Sequence, residues 1–227
     1  MRKLVIAIDG FSSTGKSSIS KEIAKRLGIV HLDTGALYRG ITYYALENSI
    51  SENGSINLTD LFTKLEFVNL EFRNENGEMI LYLNDKNISQ EIRTTEVSDH
   101  VSFIAKQKEV RDFLLNTQRK MAEKGGVIMD GRDIGTVILP DADYKFFLTA
   151  SPDERARRRF LELQQLGIES TLEEVKENLL KRDKIDSERE VAPLKQASDA
   201  ILIDNTSINK QETIELILSK ISTLNKI

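Results

Sequence analysis

The stretch that decides the fold runs from Leu4 to Ser17 and reads LVIAIDGFSSTGKS. Its first part, Leu4–Ile8, is an apolar and largely β-branched run, which is typical of a parallel strand covered on both faces. Its second part, Gly10–Ser17, fits the pattern G-x-x-x-x-G-K-[ST], and apolar residues then recur at helical spacing as far as Leu27. A glycine-rich turn between a strand and a helix predicts a loop whose backbone N–H groups converge on phosphate oxygens.

We expect this phosphate loop to bind a nucleoside triphosphate. Lys16 would bridge the β- and γ-phosphates, and Ser17 would hold Mg²⁺ through its hydroxyl. The alternative for the loop alone is an ordinary turn joining a strand to a helix. The predicted nucleotide-binding residues are Gly10, Phe11, Ser12, Ser13, Thr14, Gly15, Lys16, Ser17 and Ser18.

Further strands and helices alternate along the chain. Four more short apolar runs lie next to polar turns: Val30–Leu32, Val127–Met129, Tyr144–Leu148 and Ala200–Ile203. Helical patterns separate them, so right-handed crossovers and a parallel sheet are expected. The sequence therefore predicts an α/β fold with a five-stranded parallel sheet.

Two segments interrupt this alternation. Residues 66–92 alternate apolar and polar side chains around Asn76-Gly77, a strong hairpin signal, so we expect an inserted antiparallel β unit over 39–105. Ser151-Pro152-Asp153-Glu154 predicts a capped helix start with a capping box, and the arginine-rich helix that follows indicates a lid over 151–170. The core of this single domain, 1–227, would then comprise residues 1–38, 106–150 and 171–227.

Composition limits the partners and the location. Hydrophobic residues make up 40% of the chain and charged residues 30%, which suits a soluble globular protein. A net charge of -4 gives no overall attraction to a nucleic-acid polymer or an anionic membrane. The chain has no cysteine and no stretch of about 20 apolar residues. We therefore expect a cytoplasmic monomer with small-molecule substrates.

A second motif follows the second predicted strand. Asp33–Arg39 reads DTGALYR and opens another helix, where anions bind well. Thr34 offers a hydroxyl and Arg39 a planar fork of donors, so the segment suits a second phosphate. Taken alone, the same residues also fit a simple helix N-cap.

A nucleotide switch or mechanical ATPase is the competing class for the phosphate loop. A guanine-reading Asn-Lys-x-Asp would support it, but the nearest match, Asn209–Glu212, ends in Glu and fits an ordinary helix start. Val127–Asp130 ends in an acid in the manner of a Walker B strand and could support Mg²⁺ through water. A turn-forming Asp at a strand end is the alternative for Asp130.

The motifs taken together resemble those of bacterial cytidylate kinases, which are P-loop nucleoside monophosphate kinases. The phosphate loop, Asp33–Arg39, Glu91–Thr94, Asp130–Thr136 and Arg189–Leu194 stand in that family's order, and the resemblance covers almost the whole chain. It implies a P-loop kinase core and transfer of the γ-phosphoryl group of ATP, with Mg²⁺, to CMP or dCMP, giving CDP or dCDP and ADP in pyrimidine nucleotide metabolism. A related kinase acting on UMP or a sugar is the nearest alternative.

The resemblance also implies roles for individual residues. Phe11 stands where a proline is common in the family. The implied acceptor contacts are Ser102, Arg111 and Asp133 to cytosine, Arg182 and Asp186 to ribose, and Arg39, Arg132 and Arg189 to phosphate, with Thr34 beside them. The other reading makes Arg111 and Arg182 surface helix charges, and Asp186 a helical partner of Arg182.

Arginines are concentrated in the predicted lid helix. They are Arg155, Arg157, Arg158 and Arg159, and we expect them to close over the ATP phosphates and offset charge in the transition state. For Arg157 a solvated helix face is the stronger interpretation, and for Arg155 and Arg159 it is the weaker one. The predicted catalytic residues are Lys16, Arg132, Arg155 and Arg159. His31 and His100 are too isolated to suggest a metal site, so we interpret both as structural.

Overall fold

The computed structural model describes residues 3–224. Its strands are β1 (Val5–Gly10), β2 (Val30–Asp33), β3 (Leu70–Glu75), β4 (Glu78–Leu83), β5 (Lys86–Asn87), β6 (Val127–Gly131), β7 (Tyr144–Thr149) and β8 (Ile201–Asp204). Its helices are α1 (Lys16–Leu27), α2 (Thr34–Asn48), α3 (Leu58–Lys64), α4 (Thr95–Ala105), α5 (Lys108–Ala122), α6 (Pro152–Gln165), α7 (Leu172–Glu188) and α8 (Lys210–Leu224). Shorter helical turns cover Leu65–Phe67, Glu91–Arg93 and Ile134–Ile138.

The described chain divides into two compact units. One is formed by the described residues within 1–32 and 122–227, and the other by residues 33–121. None of the helices in residues 3–224 is both long enough and apolar enough to cross a bilayer.

The first unit is built on a five-stranded sheet with the order β2-β6-β1-β7-β8. β1 pairs in parallel with β6 and β7, and β7 pairs in parallel with β8, which confirms the predicted parallel sheet. Buried side chains from the strands, such as Ile6 and Phe146, pack against Ile19 and Ile23 of α1 and Ile217 of α8. This packing holds the carboxyl end of β1, and the phosphate loop that follows it, against a rigid support.

Gly10 marks the point where the chain leaves β1 and enters the loop. Its φ is 153°, and a Cβ at this position would lie 2.2 Å from the carbonyl oxygen of Leu148. Only glycine allows the loop to turn this closely beside β7.

The second unit contains an antiparallel sheet in the order β3-β4-β5, packed on helices. The hairpin between β3 and β4 turns at Asn76 and Gly77, whose φ values of 53° and 87° match the tight turn that this dipeptide predicts. α2 packs closely on this sheet, since a Cβ on Gly40 would lie 2.9 Å from a methyl carbon of Leu70. The predicted hairpin is therefore present, and its unit extends over residues 33–121.

Helices α6 and α7 share a small core of their own within the first unit. Ala156 and Leu163 of α6 pack against Val175 and Leu179 of α7. The Ser151 hydroxyl accepts from the Glu154 N–H as predicted, but the other half of the predicted capping box is wrong. The Ser151 N–H donates to Thr206 instead, because the Glu154 carboxylate is bound by arginines of its own helix.

Candidate active site

The phosphate loop is closed by bonds to a single carbonyl oxygen. The Thr14 hydroxyl and the Lys16 ammonium both donate to the carbonyl oxygen of Phe11, at 3.0 and 2.9 Å. Gly15, with φ 84°, precedes α1 and has no side chain to cap it. Among the described residues, no side chain caps the start of α1, which is the kind of helix start that binds anions, and the Lys16 ammonium is held within the loop.

Ser17 and Asp130 form the candidate magnesium site. The Ser17 hydroxyl donates to one carboxylate oxygen of Asp130 at 2.5 Å, and Asp130 itself is only 1% exposed at the end of β6. A hydroxyl and a carboxylate are hard oxygen donors that fit Mg²⁺, which usually takes one or two carboxylates and completes its shell with phosphates and water. Within residues 3–224, no group of three or more His, Cys, Asp or Glu side chains forms a metal cage of its own.

His31 lies against the same carboxylate. Its Nε2 is 2.5 Å from the second oxygen of Asp130, across the neighbouring strands β2 and β6. Both oxygens of Asp130 therefore have partners, which fixes the orientation of the carboxylate. The sequence indicated only a structural role for this histidine, and no local motif connects it with Asp130.

Arg132 connects the phosphate loop with α7. Its Nη2 donates to the Ser12 hydroxyl at 2.7 Å, and its Nε donates to the Asp186 carboxylate at 2.9 Å. Burial alone would raise the pKa of Asp186, but Arg132, Arg189 and Arg182 together hold that pKa below its usual value. Asp186 therefore stays ionised and keeps Arg132 beside the loop.

Asp133 and Arg189 form a second pair in this unit. The guanidinium of Arg189 donates to the Asp133 carboxylate at 3.2 Å, with both side chains at most 3% exposed. Arg189 also donates to the carbonyl oxygen of Ala192 at 2.7 Å, just beyond the end of α7. Arg189 thus holds the buried carboxylate of Asp133 in a fixed orientation.

Asp9 supports the segment that carries Arg132 and Asp133. Its two carboxylate oxygens accept hydrogen bonds from the backbone N–H groups of Ile134 and Gly135, at 2.7 and 2.8 Å. Burial raises the pKa of Asp9 to about 7, against the opposing effect of those two N–H groups. This role of Asp9 was not predicted from the sequence, although a charged residue at the end of an otherwise apolar strand was a visible signal.

The four arginines of α6 differ in their surroundings. Arg155 is 3% exposed and contacts the carbonyl oxygen of Ser12, whereas Arg157 pairs with Glu154 and its side chain is 58% exposed. Arg158 donates to Asn205, which in turn donates to the carbonyl oxygen of Thr14 at 2.9 Å. Arg159 pairs with Glu162 on its own helix. The structure thus brings Arg155 to the loop directly and Arg158 through Asn205.

The second unit contains the remaining predicted acceptor residues. Asp33 caps α2 by accepting from the Ala36 N–H at 3.3 Å, and Thr34, 2% exposed, is the first residue of that helix. Arg39 of α2 donates to the Ser98 hydroxyl at 3.0 Å and to the carbonyl oxygen of Ile92 at 3.3 Å. The DTG motif is therefore a capped helix start, and Arg39 joins it to the segment at Glu91–Thr94.

Ser102 and Arg111 also lie in this unit, on α4 and α5. Both are buried, at 4% and 6% exposure. Arg111 donates to the carbonyl oxygen of Ala105 at 3.1 Å, and its guanidinium carbon lies 5.3 Å from the centre of the Tyr38 ring. Arg111 is therefore an interior side chain rather than a surface helix charge.

Comparison with known proteins assigns the family. The sequence model described as cytidylate kinase matches residues 6–223. A cytidylate kinase of Bacillus cereus is 46% identical over 221 residues, and one of Bacillus thuringiensis is 45% identical, each match covering 97% of both chains. A crystal structure of an uncharacterized protein from Eubacterium ventriosum has a TM-score of 0.52 at 13% identity, covering 97% of this chain and 99% of that one, which supports the fold alone. The chain belongs to the cytidylate kinase family.

Proposed function

We propose that this protein transfers the γ-phosphoryl group of ATP to CMP or dCMP, giving ADP and CDP or dCDP. The observation that carries the proposal is the position of Arg132, which donates both to Ser12 of the phosphate loop and to Asp186 of α7. One guanidinium thus joins the proposed donor site to a proposed acceptor residue, as transfer between two phosphates requires. The membership of the family supports the same reaction.

The phosphate loop would bind the donor. Its backbone N–H groups and the start of α1 would hold phosphate oxygens, and Lys16 would leave the carbonyl oxygen of Phe11 for the β- and γ-phosphates. Ser17 directly, and Asp130 through water, would hold Mg²⁺. When bound, Mg²⁺ would offset the negative charge of the phosphates.

The acceptor would be recognised by its base, its sugar and its phosphate. Cytosine has an amino donor at N4 and acceptors at N3 and O2, which suit a carboxylate and an arginine respectively. Asp133, Ser102 and Arg111 are the proposed base contacts, and Arg182 and Asp186 the proposed ribose contacts. Thr34, Arg39, Arg132 and Arg189 would bind the phosphate.

Catalysis would rest on positioning and electrostatics. Lys16, Arg132, Arg155 and Arg159 would offset the charge of the transferring phosphoryl group, with little need for a general base. The insertion over 39–105 and the lid over 151–170 are proposed to close when both nucleotides bind. Exclusion of water would then limit wasteful hydrolysis of ATP.

The reaction is tested by measuring ADP release with CMP, dCMP, UMP, AMP or no acceptor. We expect fast release with CMP or dCMP, slower release with UMP, and little with AMP or without acceptor. Release that is equally fast without an acceptor would support a nucleotide switch or ATPase instead. A preference for UMP would support the related kinase.

We further propose that the enzyme works as a cytoplasmic monomer. Its net charge of -4 and its lack of cysteine support small-molecule substrates and a reducing compartment. Light scattering on the purified protein would test the oligomeric state. A molar mass near 25.7 kDa is expected, and twice that value would contradict the proposal.

A further inference from the structure

Phe11 is the aromatic residue of the phosphate loop, and its ring has two contacts of different kinds. The ring of Phe147 meets it edge to face, with centroids 5.9 Å apart and planes at 88°. The guanidinium carbon of Arg155 lies 5.1 Å from the centre of the same ring. Because Phe147 is a buried residue of β7, the sheet fixes the Phe11 ring that Arg155 faces.

Hydrogen bonds along the edge of its guanidinium hold Arg155 in addition to the ring contact. Its Nε donates to the carbonyl oxygen of Ala150 at 3.0 Å, and its Nη1 donates to Asp183 at 2.6 Å and to the carbonyl oxygen of Ser12 at 3.4 Å. Its Nη2 donates no hydrogen bond to any residue within 3–224. The guanidinium is thus fixed beside the loop while one pair of N–H donors is left for an anion.

The edge contacts and the ring contact restrain different motions. Hydrogen bonds to Asp183 and Ala150 fix the guanidinium within its plane, but they resist tilting of that plane only weakly. A cation over an aromatic face is attracted most strongly where water is excluded, as it is here, since the Arg155 side chain is 4% exposed. The Phe11 ring therefore supplies the restraint that Asp183 and Ala150 do not.

We propose that Phe11 is a positioning residue of phosphoryl transfer, whose ring holds the Arg155 guanidinium flat beside the phosphate loop with Nη2 directed to the phosphates of the donor. This inference rests on the proposed function, which gives Arg155 its role in the transition state. Phe11 itself would make no contact with the reacting atoms through its ring. Its effect would therefore appear in kcat rather than in the affinity for either nucleotide.

The test compares Phe11→Leu, which removes the aromatic face, with Phe11→Tyr, which keeps it. Loss of a desolvated cation–π contact predicts that Phe11→Leu lowers kcat by about three- to thirtyfold, with the KM values for ATP and CMP within about twofold of wild type. Phe11→Tyr should lower kcat by less than Phe11→Leu does, because it keeps the aromatic face. If the ring only shaped the loop, the KM for ATP would rise at unchanged kcat, which would overturn the proposal.

A double-mutant cycle assigns the effect to Arg155. In an Arg155→Lys background, Phe11→Leu should lower kcat by less than about twofold, because Lys lacks the planar group that the ring orients. A drop as large as in the wild-type background would contradict the proposal. So would a loss in Phe11→Tyr equal to that in Phe11→Leu.

A spectroscopic measurement makes the test independent of catalysis. The ring current of Phe11 should displace the ¹⁵N–¹H resonance of Arg155 Nε, and Phe11→Leu should abolish that displacement while thermal unfolding stays cooperative. If the Arg155 Nε resonance is the same in wild type and Phe11→Leu, the proposed contact is ruled out. If the wild-type enzyme fails to phosphorylate CMP, the proposed function fails; if it succeeds and Phe11→Leu matches it, only this inference fails.

Discussion

The hydroxyl of Ser17 donates a hydrogen bond to the carboxylate of Asp130 over 2.5 Å, which joins the start of α1 to the end of β6. His31 lies 2.5 Å from the other oxygen of that carboxylate. Ser17 and His31, which lie 113 and 99 positions before Asp130 in the sequence, thus fix this buried acid next to the phosphate loop. On this arrangement we base the prediction that Asp130 supports Mg²⁺.

Asp130→Asn should weaken the use of Mg²⁺. The amide keeps the shape of the side chain but removes its charge, so we expect the Mg²⁺ concentration for half-maximal rate to rise about tenfold or more. The affinity for Mn²⁺ in the presence of ATP, measured by electron paramagnetic resonance, should fall as well. Asp141→Asn, at an exposed position, is the control and should change neither value. Unchanged metal binding in Asp130→Asn would remove Asp130 from the metal site.

Lys16→Ala should act on the chemical step. Lys16 is held in the loop by the carbonyl oxygen of Phe11, and we propose that it leaves this oxygen for the transferring phosphates. We expect kcat to fall by orders of magnitude while CMP binding, measured by calorimetry, stays nearly intact. Lys25→Ala, on the exposed side of α1, provides the matched control. Near-normal turnover by folded Lys16→Ala protein would rule out the assignment of the phosphate loop.

Asp9 should make the stability of the protein depend on pH. Because its pKa in the folded state is about 7, above the ordinary 3.8, the folded protein binds more protons than the unfolded chain between those values. Its contribution to stability is therefore complete below about pH 4 and is lost as the pH rises through 7. We expect the free energy of unfolding of wild type, relative to Asp9→Asn, to decrease by roughly 2–4 kcal/mol between pH 4 and pH 8. Urea unfolding at several pH values measures it, and a constant difference would contradict the account.

Asp133 should help to select cytosine over uracil. CMP presents an amino donor at position 4, where UMP presents a carbonyl acceptor, so a carboxylate facing that edge pairs with the first and repels the second. Such a mismatch costs about 1–3 kcal/mol, or roughly ten- to a hundredfold in kcat/KM. Asp133→Asn keeps an acceptor for Arg189 but can also present an amide donor. We therefore expect this variant to lower the ratio of kcat/KM for CMP to kcat/KM for UMP.

The measurement for Asp133 is kcat/KM for both nucleotides with wild type and variant. If the variant instead lost phosphate binding through the neighbouring Arg132, kcat/KM would fall equally for CMP and UMP, and their ratio would not change. An unchanged ratio would mean that Asp133 does not discriminate the base. The selection would then depend on Ser102 and Arg111.

Local patterns were enough to predict much of the fold. An apolar run followed by G-x-x-x-x-G-K-S predicts β1, the loop and α1, and Asn76-Gly77 predicts the hairpin, because each signal depends on neighbours in sequence. The predicted ends of the strands were less accurate than the predicted strands themselves. β1 continues to Gly10 rather than ending at Ile8, since Asp9 pairs with Gly131 and Gly10 with Leu148 in the sheet.

The long-range contacts in the candidate site could not be predicted from the sequence. Asp9 binds residues 125 and 126 positions away, and Asn205 binds Thr14 across 191 positions. No periodicity or motif encodes such pairs, because they arise only when the parallel strands bring their carboxyl ends together. The prediction of a full capping box at Ser151–Glu154 was wrong for a related reason. Arg157 and Arg158 bind the Glu154 carboxylate in place of the Ser151 N–H, and they lower the pKa of Glu154 to about 2.

The destination of the γ-phosphoryl group tests the central claim most directly. ATP labelled in its γ-phosphate is incubated with the protein, Mg²⁺ and CMP, and the labelled products are separated. We predict that the label appears in CDP, and that inorganic phosphate forms far more slowly when CMP is left out, because the proposed closure over both nucleotides would exclude water. Label released as inorganic phosphate at the same rate with or without CMP would contradict the account.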